Sequence, residues 1–273
     1  MDSLSAALSV MSMRAGVFYS GNICGLHDFE NDVFKGHLHL IERGPIALQM
    51  LGHTEVQLTE PTVLFLPRPK WHRLLTDDDA GADVVCGTIT LGGGVNNPVS
   101  ASLPDVVLVP LSELSGAEAL LSLMRQEAFQ DQPGRQAVLD RLCEVLILKL
   151  LRHCMAQGIA SGGLLAGLAD PKLCKALLAI HEDPAQEWDL PRLASTAGMS
   201  RARFAYYFKA VLGRTPAHYL SQWRIQTAQQ LLQQGKSIQQ VAHAVGYGSA
   251  SAFTRAFVRE VGISPGVWLT TAT

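Results

Sequence analysis

The sequence predicts an α+β chain of two domains: an N-terminal β-barrel carrying a helical segment, then an all-α half built on two helix-turn-helix units. Three observations predict it. Short apolar runs separated by Gly, Pro, Asn and Asp fill the first 115 residues. Helical periodicity takes over from there to residue 180, and the last third contains the same motif twice.

In chain order, VFKGHLHLIE, PIALQML, EVQLT, TVLFLP, DVVCGTITL and DVVLVP each read as a strand. Their spacing is that of an all-β barrel or double-sheet jelly roll. His37 and His39, two apart in the first run, share one strand face. Glu42 follows His39 by three and therefore points to the other face. His72 comes from a later strand, in WHRL. Cys24 in NICGLHDF and Cys86 in VVCGTITL each precede a Gly, one before the His-bearing strand and one after WHRL.

In AVLDRLCEVLILKLLRHCM, Val138, Leu142, Val145, Leu146, Leu150 and Cys154 recur at steps of three or four, the apolar stripe of an amphipathic helix. Cys143 and Cys154 fall near one face, where packing is expected. GIASGGLLAGLADP, residues 158–171, is rich in Gly and small residues and reads as the connection between domains. A helix from Pro171 to His181 follows and stops before Asp183 and Pro184, with Trp188 packing just beyond.

Residues 190–216 then recur at 238–265, with an offset of 48 before the turn and 49 after it. The matched pairs are Leu190/Ile238, Ala194/Ala242, Gly198/Gly246, Ser200/Ser249, Phe204/Phe253, Phe208/Phe257 and Pro216/Pro265. Each copy is a short helix, a Gly, a Ser suited to cap the next helix, and two Phe at i and i+4, the pattern of a helix-turn-helix. The intervening segment lacks Pro and Gly from Ala217 to Gln234. As one helix of about 18 residues it spans roughly 27 Å. With its flanking turns, that holds two second helices about 34 Å apart, one turn of B-form DNA. With Phe204, Phe208, Val211 and Leu212 inward, Ala202, Arg203, Tyr206 and Ala210 face out. With Phe253, Phe257 and Val261 inward, Ser251, Ala252, Arg255 and Arg259 face out. Arginine reads guanine or grips phosphate, Tyr reaches phosphate or stacks, and Ala touches a thymine methyl.

Charge agrees with that placement. From residue 181 onward nine Lys and Arg face five acidic residues, a net of +4, against −6 for the first 180 residues. The basic bias sits where the repeat lies. At 273 residues and 48% apolar content the chain can build two cores. It lacks a run of 18 apolar residues and its N-terminus lacks a signal-peptide pattern, so a cytoplasmic protein without a membrane span is expected. Five Cys, an odd number without CxxC, fit a reducing compartment.

The double motif, together with Arg224, Ile225, Ala228, Leu231 and Leu232 between the units and the closing GYGSASAFTRAFVREVGISP, resembles the AraC/XylS family of transcription regulators. That resemblance covers about 90 residues and implies a bipartite domain that binds double-stranded DNA, with each second helix in the major groove. PTVLFLPRPKWHRL and NPVSASLPDVVLVP resemble the cupin-type sensor domains of the same family. A cupin barrel implies an enclosed ligand or a divalent metal, for which His37, His39 and His72 are the candidate ligands, although the pattern wants its Glu further along than Glu42. Cys24 and Cys86 resemble the cysteine pair of the branch that answers reactive chlorine and other oxidants, which implies a disulfide switch. Imidazole from His39 or His72 is expected to lower the thiol pKa. The family further implies a dimerisation helix, whose apolar surface could equally dock only on its own barrel, together with a homodimer and contact with RNA polymerase.

The expected organisation is a cupin-like sensor at 1–112, a helical dimerisation segment at 113–157, a linker at 158–171 and the DNA-binding domain at 172–273. The expected function is a DNA-binding regulator, an activator in the first instance, with oxidant sensing through Cys24 and Cys86. The alternatives are a regulator answering a small molecule or metal in the barrel and, behind it, a metal-cupin enzyme.

Overall fold

A computed structural model describes residues 3–10, 13–29, 35–91, 97–130 and 132–271. The chain divides into two compact units, residues 12–161 and residues 162–273 joined by 1–11.

The first unit is a two-sheet β structure. Its strands are β1 (Met13–Ile23), β2 (Leu26–Phe29), β3 (Gly36–Arg43), β4 (Ile46–Met50), β5 (Val56–Leu58), β6 (Thr62–Leu66), β7 (His72–Leu75), β8 (Ala82–Leu91) and β9 (Val107–Pro110). One sheet runs β1-β8-β3-β6-β9 and the other β2-β7-β4-β5, and each neighbouring pair is antiparallel. The inner faces enclose a core of Ile41, Ile46, Leu48, Leu64, Leu66, Leu74, Val84 and Cys86. Each such Leu or Ile contributes roughly 1.5–3 kcal/mol over an exposed position. Strand β6 is buried at all five positions, which is why TVLFLP reads as an unbroken apolar run rather than an alternating one.

Two helices, α2 (Ala117–Phe129) and α3 (Arg135–Ala156), complete this unit. The outer face of the five-stranded sheet meets α3: a Cβ on Gly87 would lie 3.3 Å from Cys143 Sγ, and Asp140 accepts from the Val17 backbone N–H at 3.2 Å. The buried stripe of α3 is Leu139, Cys143, Leu146, Ile147, Leu150, Leu151 and Cys154. That corrects the expected stripe by about one residue, because Val138 and Val145 are 43% and 41% exposed. The helix is apolar on two sides, and periodicity alone does not say which side meets the sheet.

The second unit contains α1 (Ser3–Val10), α4 (Gly163–Ala169), α5 (Leu173–Glu182), α6 (Leu190–Thr196), α7 (Arg201–Leu212), α8 (Pro216–Gln233), α9 (Ile238–Ala244), α10 (Ala250–Val261) and α11 (Pro265–Thr271). Two expectations change here. Residues 163–169, read as part of a linker, form α4, with Leu164, Leu165 and Leu168 buried. The Gly and Ala content that looked like a flexible connection is a close-packing device, since a Cβ on Gly167 would sit 2.9 Å from Leu177 Cδ1. The N-terminal residues, assigned by sequence to the sensor, form α1 and group with this second unit, with Leu4, Ala6 and Ala7 buried.

The repeat is exact in structure: α6 and α9 are offset by 48 residues at both ends, α7 and α10 by 49. Gly198 and Gly246 both take positive φ, 63° and 82°, in the turn of each unit. At Gly246 any side chain is excluded, since a Cβ would lie 2.7 Å from the Ala185 carbonyl oxygen.

Candidate nucleic-acid interface and sensor core

The second helix of each repeat is fixed from inside and capped at its start. Ser200 Oγ accepts from the Arg203 backbone N–H at 3.4 Å, and Ser249 Oγ accepts from that of Ala252 at 3.2 Å. Phe204 and Phe208 pack with ring centroids 5.4 Å apart, Phe253 and Phe257 with theirs 5.6 Å apart. All four rings are fully buried, so the opposite face of each helix is turned to solvent.

On α7, Ala202 and Arg203 are exposed and Tyr206 is 78% exposed. On α10, Ser251 and Arg255 are exposed and Ala252 is half-buried. The expected set is thus solvent-exposed except for Ala252, and two members have commitments that sequence did not reveal. Ser251 Oγ lies 3.1 Å from the capping Ser249 Oγ. Arg259 donates from Nη2 to Ser221 Oγ at 3.2 Å, with its Nε 3.6 Å from Glu260. Sequence reasoning passed over Arg201 and Lys209, exposed on α7, and Val258, 40% exposed on α10. They were legible as neighbours of the chosen face. Helix α7 carries three basic residues and no acidic one, and the single acid of α10, Glu260, is half-buried. Both outward faces are therefore cationic, as a phosphate backbone requires.

In the sensor unit, His39 and His72 are fully buried and His37 nearly so. His39 Nδ1 lies 3.1 Å from Cys86 Sγ, His39 Nε2 lies 2.7 Å from His72 Nε2, and His72 Nδ1 lies 3.0 Å from the Lys70 carbonyl oxygen. One tautomer set satisfies the whole chain: the Cys86 thiol donates to His39, His39 to His72, and His72 to Lys70. Phe29 stacks on His72 at 4.9 Å and meets His39 edge-on at 4.5 Å. Burial, then the neighbouring His72 and His37, hold His39 well below the usual imidazole range. Burial also pushes His72 down to about 4 and the Cys86 thiol up to about 12. The expected imidazole-lowered thiol is thus reversed at rest, because burial disfavours both ionised partners.

A shared metal does not fit these residues as they stand. Two nitrogens bound to one ion at about 2.0–2.1 Å stand roughly 3.3 Å apart in tetrahedral geometry, wider than the 2.7 Å between His39 and His72. Glu42 faces away and pairs with Arg125. Among the described residues no group of three His, Cys, Asp or Glu is placed to hold an ion.

Nor does the fold bring Cys24 and Cys86 together. Cys24 is exposed and Cys86 buried. Cys24 Sγ donates to Asn22 Oδ1 at 3.2 Å and lies beside Gly81, whose Cβ would be 2.6 Å from it. Cys86 is on β8 opposite Tyr19 and His39. Roughly 16 Å of extended chain separates Gly81 from Cys86, against about 7 Å between Cα atoms for a disulfide.

Comparison with known proteins bears on both units. A family described as "Cupin" matches residues 2–156, and one described as "Helix-turn-helix domain" matches residues 193–271. A putative AraC-like transcription regulator of Streptomyces antibioticus is 35% identical over 255 residues, covering 83% of this chain and 84% of the relative. The RCS-specific HTH-type transcriptional activator RclR of Escherichia coli is 32% identical over 233 residues, covering 84% and 82%. Among solved structures, ToxT from Vibrio cholerae aligns over 97% of this chain and 99% of its own at 13% identity and a TM-score of 0.43. Among the described residues no helix is long and apolar enough to cross a membrane.

Proposed function

Because the chain belongs to the AraC-like transcription regulators, which bind DNA through a helix-turn-helix domain and are not enzymes, we propose that α7 and α10 are its two reading helices. Arg203 and Arg255 lead the two contacts, flanked by Ala202 and Tyr206 on α7 and by Ser251 and Ala252 on α10, with Arg259 serving phosphate. The observation that carries this reading is the pair of capped, Phe-anchored helices with solvent-facing arginines repeated at one offset. The domains follow the same division: a cupin-like sensor, the α2–α3 segment for dimerisation, and a DNA-binding domain that begins at α4.

The regulator acts as a homodimer in the cytoplasm. Its five free cysteines suit a reducing compartment, and α3 leaves an apolar stripe for a second copy. RNA polymerase is the partner that activation requires. Its E. coli relative is named as an RCS-specific activator, and we extend oxidant sensing to Cys24 and Cys86. Hypochlorous acid converts one thiol to a sulfenyl chloride with release of water, and attack by the second expels chloride and a proton, leaving the disulfide. The distance between the thiols makes this a conformational event. Strand β1 is the edge of its sheet, so its end can leave β8 without opening a second ladder. It also holds α3, with Gln136 donating to the Val17 carbonyl at 2.8 Å. Bridging thus pulls on the dimerisation helix.

The test is intact mass before and after a near-stoichiometric dose of hypochlorous acid, with binding to the chain's own upstream DNA followed in parallel. Loss of two hydrogens mapped to Cys24 and Cys86, with altered binding, supports the switch. If those thiols stay free while DNA binding persists, the switch is overturned and the barrel is the place to search for a small-molecule effector.

A further inference from the structure

Helix α10 is gripped at two places of different character. Its middle, Phe253, Ala256 and Phe257, sits in an apolar core with Ile225, Ala228 and Leu232 from the second half of α8. Its last turn reaches the first half of α8 through Glu260. Ser221 Oγ donates to Glu260 Oε1 at 3.3 Å. His218 Nε2 lies 3.6 Å from Glu260 Oε2, and Arg259 Nε lies 3.6 Å from Oε1. The Glu260 side chain is only 14% exposed, while Arg259 closes the set by donating to Ser221. The same stretch of α8 is tied to the first repeat, because Arg214, in the turn leaving α7, donates to Gln222.

Apolar packing is non-directional, so the core fixes where α10 docks but tolerates a swing about that point. Hydrogen bonds and ion pairs are directional, and this set acts roughly 7 Å further along the helix, at the end of the lever. We infer that Glu260 is a positioning residue that sets the spacing and phase of the second reading helix relative to the first. This rests on the reading of α7 and α10 as the two reading helices. Glu260 touches no base in that arrangement. It acts through the angle of α10.

The experiment uses the full-length chain and the duplex it selects in vitro from a random pool. Affinity is measured for that duplex and for versions with one base pair inserted between, or removed from, the two protected segments. The wild-type chain loses on the order of tenfold per step, as one mismatched position does. Glu260→Ala binds the unaltered duplex more weakly but loses about threefold or less per step, and Glu260→Gln, which keeps an acceptor for Ser221, falls between. Ser200→Ala, which removes a helix cap without touching the network, keeps the wild-type penalty even though it destabilises the domain. If Glu260→Ala does not melt cooperatively, Glu260→Gln and Ser221→Ala decide by the same readout. Folded variants that retain the full wild-type penalty overturn the role of Glu260 alone. A wild-type chain indifferent to spacing overturns the two-helix reading with it.

Discussion

His39 Nδ1 lies 3.1 Å from Cys86 Sγ, so a buried imidazole on β3 meets a buried thiol on the neighbouring strand β8. Its other nitrogen crosses to His72 in the opposite sheet. The contact makes the sensor core dependent on neutral histidine.

The pH dependence follows with a definite sign. Unfolded histidine takes up its proton near 6.5, whereas folded His72 stays neutral until about 4. Between those values the unfolded state binds more protons, so this stability is fully present above about 6.5 and is lost as pH falls toward 4. For His72 the loss between pH 7 and pH 5 is about 2 kcal/mol. Thermal denaturation of the wild type against His72→Gln at the two pH values checks it. The variant starts lower at pH 7, because Lys70 and His39 lose a partner, but declines less on acidification. Equal declines sink the argument. His181, held down to about 3 by burial, adds the same contribution to both proteins and cancels in the comparison.

The reading helices give the second expectation. Arg203 and Arg255 are exposed, and among the described residues neither guanidinium has a hydrogen-bond or ion-pair partner, while Arg259 is held by Ser221 and Glu260. Arg203→Ala and Arg255→Ala each weaken binding to the selected duplex by about 1–3 kcal/mol and relax preference at one base position. Arg259→Ala weakens binding to all sequences alike and lowers the salt slope by about one. Binding titrations at several salt concentrations, on the selected duplex and on single-base variants, separate the two classes. A uniform loss from Arg255→Ala would reassign it to phosphate.

The second unit was far more legible than the first, for a physical reason. Its two helix-turn-helix copies state their own register, so Ser200 and Ser249 had to be caps and the four Phe had to face in. Local spacing on a helix determines which side chains share a face. In the sensor the informative contacts are between strands distant in sequence. His39, Cys86 and His72 were each picked out, but only the register of β3 on β8 and the facing of β7 show that they form one hydrogen-bonded chain. The same register separates Cys24 from Cys86, which sequence paired. Helix α1 was missed because SLSAALSV is only eight residues long and has Ser at three of them, and α4 because its glycines serve close approach rather than freedom.

The third expectation concerns α3. Val138, Leu142 and Val145 line an apolar surface depression of about 390 Å³ with Ala137 and Arg141, while the opposite side of the helix is buried against the sheet. Two β-branched side chains more than two-fifths exposed on a well-packed helix contribute little to the fold, so a role in association is the economical account of them. Val145→Asp places a charge at the C-terminal end of that stripe. It leaves the melting temperature within a few degrees of wild type, since a surface change away from the core costs about 0.5 kcal/mol or less. It converts a dimer to a monomer in sedimentation velocity, and affinity for a duplex carrying two copies of the selected site falls to that for one copy, because the gain from linked binding is lost. A variant that sediments as the wild type does, with two-site affinity intact, places the dimer contact elsewhere. A variant that fails to fold instead shows Val145 to be part of the core, and Val138→Asp, two turns toward the helix start, repeats the test.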